Sequence, residues 1–413
     1  MRVLLVSFYF PPAGGGGVQR PLKFAAQLPE FGIETHVLAP DDPRWIHADA
    51  ELSVPPGVHV HRARYLGPRG RRPAEELHGL TGARRLGRKA TLLARRLAVP
   101  DENVSWNLTA IPAAIRIVRR HRIDVVLTTS PPGSVHFVGA AAKRATGVRW
   151  VADLRDPLVG HPHRNVERLL ARTKDRLRAL VSHTVARRAD AVVTVSEAIT
   201  DEIRFLKPRG RVVTIPNGSD FDDYDGLEYE RGDLFRITHT GSFFGKRDPK
   251  PFLTALAQVD GVAARFVGDF RASDREWAES LQLGERLQLI PYRAHHATLG
   301  LQRNSEALLL LIPGAGGRGR GILSGKVFEY IGAERPILAL VPPEGAAAQL
   351  LRETGTGVVV DPEDVDGIAH ELTAMRDRWL SGDGSIELED VWRTRLSRRA
   401  RTEELAALLE TLA

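Results

Sequence analysis

The chain has no cysteine, few aromatic residues and no long apolar run, and each absence excludes a class of protein. Because none of its 413 residues is cysteine, disulfides and thiolate metal sites are excluded, and the composition fits a reducing compartment. No run of about 18 uncharged apolar residues occurs, so no transmembrane helix is predicted. The N-terminal residues MRVLLVS are predicted to form a strand and not a signal peptide. We therefore expect a cytoplasmic protein.

The net charge of +7 indicates an anionic partner. Only 6% of the residues are aromatic, and the basic residues do not form stripes interleaved with aromatic ones, as binding to single-stranded nucleic acid requires. The charge therefore favours an anionic substrate or an anionic lipid surface, and we expect no nucleic-acid partner.

Basic residues are concentrated between Arg62 and Arg96. This segment contains 11 Lys and Arg residues and only two acidic residues, Glu75 and Glu76. Part of this segment has the pattern of a basic amphipathic helix, which is able to lie on the inner face of the cell membrane. The alternative is a solvated basic helix packed on its domain. Arg164–Arg188 leaves the same two interpretations open.

Short apolar and β-branched runs alternate with helical patterns along the chain, which is typical of parallel sheets built from βαβ units. The first series of predicted strands is Val3–Ser7, Thr35–Ala39, Val58–His61, Asp124–Thr128, Arg149–Asp153, Ala191–Val195 and Val212–Ile215. The second series is Phe235–Thr240, Ala264–Gly268, Leu287–Ile290, Ala307–Ile312, Pro336–Val341 and Gly357–Val360. We therefore predict an α/β protein with two doubly wound, Rossmann-like domains.

A polar, turn-rich stretch, Asn217–Gly226, separates the two series and is predicted to be the linker. We place the first domain at 1–220, the second at 221–385 and a C-terminal helical segment at 386–413. Ligands bind at the carboxyl edges of doubly wound sheets. We therefore expect the edge loops of the two domains to face each other across a cleft that holds the site.

The segment from Gly319 to Ala339 has the pattern of a diphosphate and ribose site. A glycine-rich loop leads into a short predicted helix, whose first N–H groups and positive dipole end favour phosphate. Lys326 adds a full positive charge at this helix start. Glu329, one turn later, is placed to accept hydrogen bonds from a ribose diol. A nucleotide diphosphate contains both groups.

Four consecutive glycines, Gly14–Gly17, follow the first predicted strand and precede a helix predicted to open near Pro21. The backbone amides of Gly15, Gly16 and Gly17 are candidates to bind a phosphate or a sugar acceptor. The segment matches neither the dinucleotide pattern GxGxxG in context nor the Walker A pattern. A merely mobile loop is the alternative interpretation.

The second predicted domain opens in a similar way. Gly241 and Ser242 end its first strand, and two cations, Lys246 and Arg247, follow just before a helix. Cations at this edge suit a diphosphate leaving group, and arginine offers it a bidentate fork. Solvated charges at a helix start are the alternative.

Taken together, these motifs resemble glycosyltransferase family 4, a group of retaining enzymes with the GT-B fold. The resemblance spans about Arg2 to Leu380 and rests on the order and spacing of five motifs: Pro11-Pro12 with Gly14–Gly17, Asn217-Gly218 with Asp220, Gly241-Ser242 with Lys246-Arg247, Lys326 with Glu329, and Arg335-Pro336. It implies transfer of a sugar from a nucleotide-sugar, no required metal or other cofactor, and a C-terminal helix that crosses back to the first domain.

Residue by residue, the resemblance gives Glu329 the ribose-binding role of the second Glu in the family's Glu-x7-Glu signature. The first Glu of that signature is replaced here by Gly321, so the contact with the donor sugar is in doubt. Amides of Ile322, Leu323 and Ser324 remain candidates for the sugar or phosphate. Arg247 and Lys326 are expected to neutralise the departing diphosphate, with Lys246 as the weaker alternative to Arg247.

In the first domain the family commonly has a histidine where this chain has Arg155-Asp156. Asp156 is a candidate to orient the acceptor hydroxyl or to take its proton. Arg155 either binds an acceptor phosphate or pairs with a carboxylate. His136 is either an acceptor contact or a capping or core histidine.

We therefore expect a retaining glycosyltransferase with a nucleotide-sugar donor and a glycan, lipid-linked or small-molecule acceptor. Two alternatives remain open. One is a nucleotide-sugar epimerase or pseudo-glycosyltransferase on the same fold. The other is a catalytically idle nucleotide-sugar-binding protein.

Overall fold

The computed structural model describes residues 1–41, 48–67, 77, 79–158, 169–243, 246–384 and 386–412. The part of Arg164–Arg188 before residue 169 and most of the segment between Arg62 and residue 79 lie outside the described residues. The chain divides into two compact units. The first contains described residues of 1–67 and 79–216 together with the chain from Arg398 onward, and the second contains Asn217–Ser397.

The first unit is built on a sheet of seven parallel strands in the order β3-β2-β1-β4-β5-β6-β7. The strands are β1 Arg2–Ser7, β2 Glu34–Pro40, β3 His59–Ala63, β4 Val125–Ser130, β5 Arg149–Leu154, β6 Ala191–Thr194 and β7 Arg211–Thr214. The helices are α1 Gly16–Gln27, α2 Gly82–Leu97, α3 Asn107–His121, α4 His136–Thr146, α5 Leu169–Arg188 and α6 Glu197–Phe205.

The second unit is built on a sheet of six parallel strands in the order β10-β9-β8-β11-β12-β13. The strands are β8 Phe235–Thr240, β9 Val262–Val267, β10 Leu287–Ile290, β11 Ala307–Leu311, β12 Ile337–Leu340 and β13 Gly357–Val360. The helices are α7 Lys250–Gln258, α8 Ala272–Glu279, α9 His295–Arg303, α10 Gly325–Gly332, α11 Ala346–Thr354, α12 Val365–Leu380 and α13 Asp390–Leu396.

Each sheet is covered on both faces, which explains why its strands are almost continuously apolar. In β1, Leu4 and Val6 belong to the apolar cluster on one face, whereas Val3 and Leu5 belong to the cluster on the other. All thirteen predicted strands are present, and their ends differ by at most two residues from the prediction. The predicted α/β class with two doubly wound sheets is confirmed.

Two expected elements differ from the structure. The helical pattern of the C-terminal tail is interrupted at Ser397, which has an extended backbone, and it continues as α14, Arg398–Glu410. This last helix belongs to the first unit. The stretch Asn217–Gly226, expected to be a free linker, starts the second unit and packs there through the buried ring of Tyr224.

The topology positions the candidate loops. In each sheet the strand order reverses at one point, between β1 and β4 in the first and between β8 and β11 in the second. Ligands of doubly wound sheets bind beside the carboxyl ends of the strands at such points. Among the described residues, no helix combines the length and the apolar character needed to cross a membrane.

Candidate functional site

The carboxyl end of β8 is held in place by side chains of neighbouring helices. The backbone N–H of Thr240 donates to the hydroxyl oxygen of Tyr330 on α10, at 2.8 Å. Gln302 on α9 donates from Nε2 to Thr240 Oγ1, at 3.0 Å. All three side chains are buried. These bonds connect the strand end to the second turn of α10 and to α9, and the loop residues Gly241 and Ser242 follow directly.

Lys326 lies directly against this strand end. Gly241 has φ 127°, a backbone conformation that favours glycine. A Cβ at this position would collide with Nζ and Cε of Lys326. Glycine at this position is thus favoured by its backbone conformation, and a larger residue would have to displace the end of the lysine side chain. The structure brings together these two predicted site residues, which are 85 positions apart in the sequence.

Arg247 supplies a second cation beside Lys326. It is buried, and its Nη1 donates to the carbonyl oxygen of Ser242, at 2.9 Å. The pKa of Lys326 is lowered to about 7, mainly by burial and also by the charge of Arg247, while the charge of Glu329 opposes both effects. Among the described residues the Lys326 ammonium has no hydrogen-bond or ion-pair partner. Two neighbouring cations, one buried and one half-buried, favour an anionic ligand beside them.

Lys246, the weaker alternative to Arg247, is exposed. The structure therefore assigns the cation at this edge to the arginine. A buried guanidinium fixed through a backbone carbonyl is also better preorganised than a solvated ammonium.

Glu329 lies on α10, one turn after Lys326, and is half-buried. Its carbonyl oxygen accepts a hydrogen bond from the Tyr224 hydroxyl, at 2.7 Å. Within the described part of the chain its carboxylate accepts no hydrogen bond. It therefore remains available to the hydroxyls of a ligand.

The loop before α10 offers fewer amides than expected. The N–H of Ile322 already donates to the carbonyl oxygen of Gly319, at 3.1 Å, so a ligand contact through this amide requires that bond to break and stays a prediction. The N–H groups of Leu323 and Ser324 form no such bond among the described residues. Gly321, in place of the family's first glutamate, contributes no side chain.

One buried residue beside these cations was missed by sequence reasoning. His239 on β8 is fully buried, and its Nδ1 lies 2.8 Å from the carbonyl oxygen of Leu309. Burial lowers the pKa of His239 well below its usual value, and the charges of Lys326 and Arg247 act in the same direction. The ring is therefore neutral and donates from Nδ1. In the sequence, a histidine inside a predicted strand does not indicate that it lies beside Lys326 and Arg247.

In the first unit the glycine segment is not a loop throughout. Gly15 caps α1, and Gly16 and Gly17 form its first turn, so the expectation that the helix opens near Pro21 is wrong. Pro21 has no N–H to donate to the carbonyl oxygen of Gly17, one turn earlier in the helix. Proline is tolerated there because that carbonyl oxygen accepts a hydrogen bond from Nη1 of Arg155 instead, at 2.7 Å.

Arg155 fixes three elements to one another. Besides Gly17 it donates from Nε to the carbonyl oxygen of Ser130, at the end of β4, while it follows β5 itself. Its Nη2 is buried without a hydrogen-bond partner in the described structure. Within the described residues Arg155 forms no ion pair with a carboxylate, which was one of its two possible roles. Asp156, the next residue, is half-buried, and its charge opposes the effect of burial on the pKa of Arg155.

The nearby carboxylate, Asp153, is instead paired with Arg20. The guanidinium of Arg20 donates to Asp153 Oδ1 at 2.9 Å and to Oδ2 at 3.2 Å. Arg20 is 4% exposed and Asp153 1%. Sequence reasoning missed this pair. The available signal was an aspartate inside an apolar strand, which requires a buried partner.

His136 lies in the core and not on an edge loop. Its Nδ1 is 2.9 Å from Thr128 Oγ1, and the residue is fully buried. Burial lowers its pKa to about 3, with the charge of Asp153 opposing this. Of the two interpretations of His136, the structure supports the core histidine, and the expected acceptor contact is wrong.

Residues 15–218 match the family model of the glycosyl transferase 4-like domain. A search of the curated proteins finds no significant match to this sequence. The sequence family is therefore identified from the first half of the chain.

Solved structures share the fold over the whole chain. Sucrose-phosphate synthase from Thermosynechococcus elongatus has a TM-score of 0.71 at 16% identity, over 100% of this chain and 98% of that one. HepE from Anabaena in complex with UDP-glucose has a TM-score of 0.64 at 15% identity, over 100% of both chains. UDP-GlcNAc 2-epimerase from Methanocaldococcus jannaschii has a TM-score of 0.53 at 11% identity, over 100% of both chains. The resemblance found in the motifs is confirmed: residues 15–218 form a glycosyl transferase 4-like domain, and the whole chain has the GT-B fold.

Proposed function

We propose that this glycosyltransferase takes its sugar from a nucleotide diphosphate donor and transfers it with retention of anomeric configuration. The observation that carries the proposal is the pair of neighbouring cations, the half-buried Lys326 and the buried Arg247, at the strand end at Gly241. UDP-sugars are the first donors to test, because HepE, which shares the fold, is bound to UDP-glucose.

In the proposed mechanism the two cations stabilise the charge that develops on the diphosphate as the glycosidic bond breaks. Such preorganised charge is usually the largest contribution to catalysis of this type. Glu329 accepts hydrogen bonds from the ribose hydroxyls and positions the nucleotide on α10. The amides of Leu323 and Ser324 are placed at the start of this helix, where phosphate oxygens are favoured.

The acceptor side is proposed from the first unit. Asp156 is the candidate to orient the acceptor hydroxyl or to take its proton, and Arg155 places a fixed positive charge beside it. With retention, the acceptor hydroxyl attacks the face from which the diphosphate departs, and the leaving oxygens assist its deprotonation. No protein nucleophile is needed, and we propose that transfer requires no metal.

A lipid-linked acceptor is favoured by helix α2. Its residues Arg84 and Arg85 are exposed, and Leu86 is 71% exposed. Cations beside an exposed leucine suit an anionic lipid surface. Co-sedimentation with vesicles that contain anionic lipid tests this point, and equal binding to neutral vesicles would contradict it.

The donor site is tested by calorimetric titration with UDP and by release of UDP from UDP-sugars in the presence of acceptors. Glu329→Gln should weaken UDP binding about 10- to 100-fold, since a hydrogen bond to a charged group is worth about 1.5–3 kcal/mol. The exposed Glu363→Gln is the matched control and should bind UDP as the parent protein does. Unchanged affinity in Glu329→Gln would contradict the ribose assignment, and no binding of any nucleoside diphosphate would contradict the proposal.

An epimerase is the second candidate, because UDP-GlcNAc 2-epimerase shares the fold. Titration with UDP does not distinguish an epimerase from a glycosyltransferase, but analysis of the reaction products does. An epimerase changes the sugar of its nucleotide-sugar with no acceptor present, whereas the proposed enzyme releases the nucleoside diphosphate only as a glycoside forms. An idle binding protein would do neither.

A further inference from the structure

Five residues that bear imidazole or carboxylate groups meet at the amino-terminal edge of the first sheet. Glu34 and His36 lie at the start of β2, and His59 and His61 at the start of β3. Alternate residues of a strand share one face, and the parallel register sets His36 opposite His59. His121 joins them from the last turn of α3. This edge is opposite the carboxyl ends of the strands, where the proposed function places its site.

The imidazole nitrogens lie at distances that suit metal ligands. Nδ1 of His36 and Nε2 of His61 are 3.0 Å apart. The ring centroid of His121 lies 4.7 Å from that of His36 and 5.2 Å from that of His61. Taking one nitrogen from each ring, all three lie within 4.8 Å of one another.

These distances can be compared with those of a tetrahedral zinc site. With Zn–N bonds of 2.0–2.1 Å, neighbouring ligand nitrogens are separated by about 3.3 Å. The His36–His61 pair needs to open by only a few tenths of an ångström to admit an ion. A metal would replace the proton that these two nitrogens share in their hydrogen bond. The third ring must approach further, and His121 is able to do so because it is only half-buried at a helix end.

The other nitrogen of His36 is already oriented as in a metal site. Its Nε2 lies 3.0 Å from Glu34 Oε1, and the second carboxylate oxygen, Oε2, accepts a hydrogen bond from Nε of Arg2, at 3.0 Å. A histidine that ligates a metal through one nitrogen typically donates from the other to a carboxylate, which fixes the ring and makes it a better ligand. Glu34 occupies that position.

We propose that His36, His61 and His121 form a binding site for a divalent transition-metal ion, with zinc as the expected ion and Glu34 as the residue that orients His36. Imidazole is a suitable ligand for zinc, copper and nickel. Three histidines leave the fourth position of a tetrahedral ion to water. The proposed metal is not part of sugar transfer, for which we propose no metal.

A competing arrangement uses Glu34, His36 and His59, whose ligand atoms also lie within 4.8 Å of one another. It would consume the carboxylate as a ligand, and Nε2 of His59 is 3.9 Å from Glu34 Oε1. His59 is also exposed and stacks on His36 at 4.7 Å between ring centroids. The first arrangement is favoured because it leaves Glu34 to orient a ligand.

The test is direct binding of zinc to the full chain, produced without a polyhistidine tag and stripped with a chelator. Titration in competition with a chromophoric chelator should give one tightly bound equivalent, and cobalt should show the visible absorption of a tetrahedral site. His61→Ala and His121→Gln should abolish this equivalent. Glu34→Gln should retain it with an affinity 10- to 100-fold lower, which is the usual effect of losing such a carboxylate.

His183→Gln, which changes an exposed histidine of the same unit, should bind zinc as the parent protein does. His121→Gln alters a half-buried residue at a helix end, so its folding is expected to be intact, and circular dichroism verifies this. A folded His121→Gln variant that still binds one equivalent, or a parent protein that binds none, would overturn the proposal. Loss of the site in His59→Gln with retention in His121→Gln would overturn it in favour of the competing set.

Discussion

At the scale of single residues, the half-buried ammonium of Lys326, which has no partner among the described residues, carries most of the information. Lys326 has its pKa lowered to about 7 by burial and by Arg247. Near neutral pH the free protein therefore contains a mixture of charged and neutral lysine. A diphosphate restores the charged form because it brings negative charge within reach of the ammonium.

Binding of a nucleoside diphosphate should therefore be accompanied by proton uptake. At pH 8 most Lys326 is neutral in the free protein, so up to one proton is taken up on binding. The affinity should fall as pH rises from 7 to 9, by at most about tenfold per pH unit. Calorimetry at pH 8 in two buffers with different ionisation enthalpies measures the uptake, and this range avoids the phosphate ionisation near pH 6.

Lys326→Arg provides the control, because arginine stays protonated throughout this range. Its heat of binding should show no proton uptake, although its geometry differs. Equal uptake in the arginine variant and the parent protein would contradict the assignment of the proton to Lys326.

The buried pair of Arg20 and Asp153 makes a prediction about stability. Asp153→Asn leaves the guanidinium charged and buried, which should lower the free energy of unfolding by about 3–5 kcal/mol. Glu30→Gln removes the exposed ion pair with Arg399 and should cost less than about 1 kcal/mol. Urea unfolding monitored by circular dichroism compares the two, and equal costs would show that the buried pair is not held as the structure shows it.

The residue scale also shows which site positions could be predicted. Lys326, Glu329 and Arg247 could be proposed from the sequence because they lie within short motifs next to strand ends. Arg20 with Asp153 and the histidines around His36 were not, since each set joins distant segments and no spacing rule connects them. Their partners are determined by sheet register, which becomes visible only once the strands are paired.

At the scale of elements, the strands were predicted well, but the start of helix α1 was not. Runs of Val, Leu and Ile buried on both faces of a parallel sheet give a strong signal. The start of α1 was missed because glycines at Gly16 and Gly17 look like loop residues, and Pro21 looks like a first helical residue. Arg155, which satisfies the Gly17 carbonyl from 138 positions away, removes that conflict.

The turn after β8 makes a prediction at this scale. Gly241→Ala should introduce backbone strain of about 1–3 kcal/mol at φ 127°. Because the new methyl group displaces Lys326, affinity for a nucleoside diphosphate should also fall, by at least about tenfold for the loss of one charge-assisted contact. Titration calorimetry and thermal unfolding measure both effects.

Gly300→Ala, in the interior of α9, serves as the comparison. A Cβ at this position would lie 4.0 Å from the side chain of Leu227 and would clash with none of the described residues. Alanine in a helix interior should stabilise the protein by about 0.5–1 kcal/mol relative to glycine, with no effect on binding. If Gly241→Ala behaved like Gly300→Ala, the close approach of Lys326 to the turn would be wrong.

At the scale of the whole molecule, the family and the GT-B fold were predictable because they rest on the order of several motifs and not on one residue. The assignment of α14 to the first unit followed from resemblance alone, since a helical pattern does not say which core it completes. In the structure, Leu405, Leu408 and Leu409 lie in the same apolar cluster as Val3 and Leu5 of β1.

Leu405→Ala should therefore destabilise the first unit selectively. Truncation of a fully buried leucine costs about 2–5 kcal/mol. Hydrogen exchange followed by mass spectrometry should show faster exchange in peptides of 1–216, while peptides of 217–397 and UDP affinity stay as in the parent protein. Leu380→Ala, at a residue 59% exposed in α12, is the control. Equal acceleration in both units would show that they do not unfold separately.

The placement of α14 also determines the order in which the protein is able to mature on the ribosome. The ribosome synthesises all of 217–397 before it reaches Arg398, so the second unit has its complete sequence while the first unit still lacks a helix of its core. Domains usually become complete in order from the N-terminus during synthesis. Here that order is reversed: the nascent chain presents an unfinished apolar surface around β1 until its last helix emerges, and this interval is when the chain most needs a chaperone.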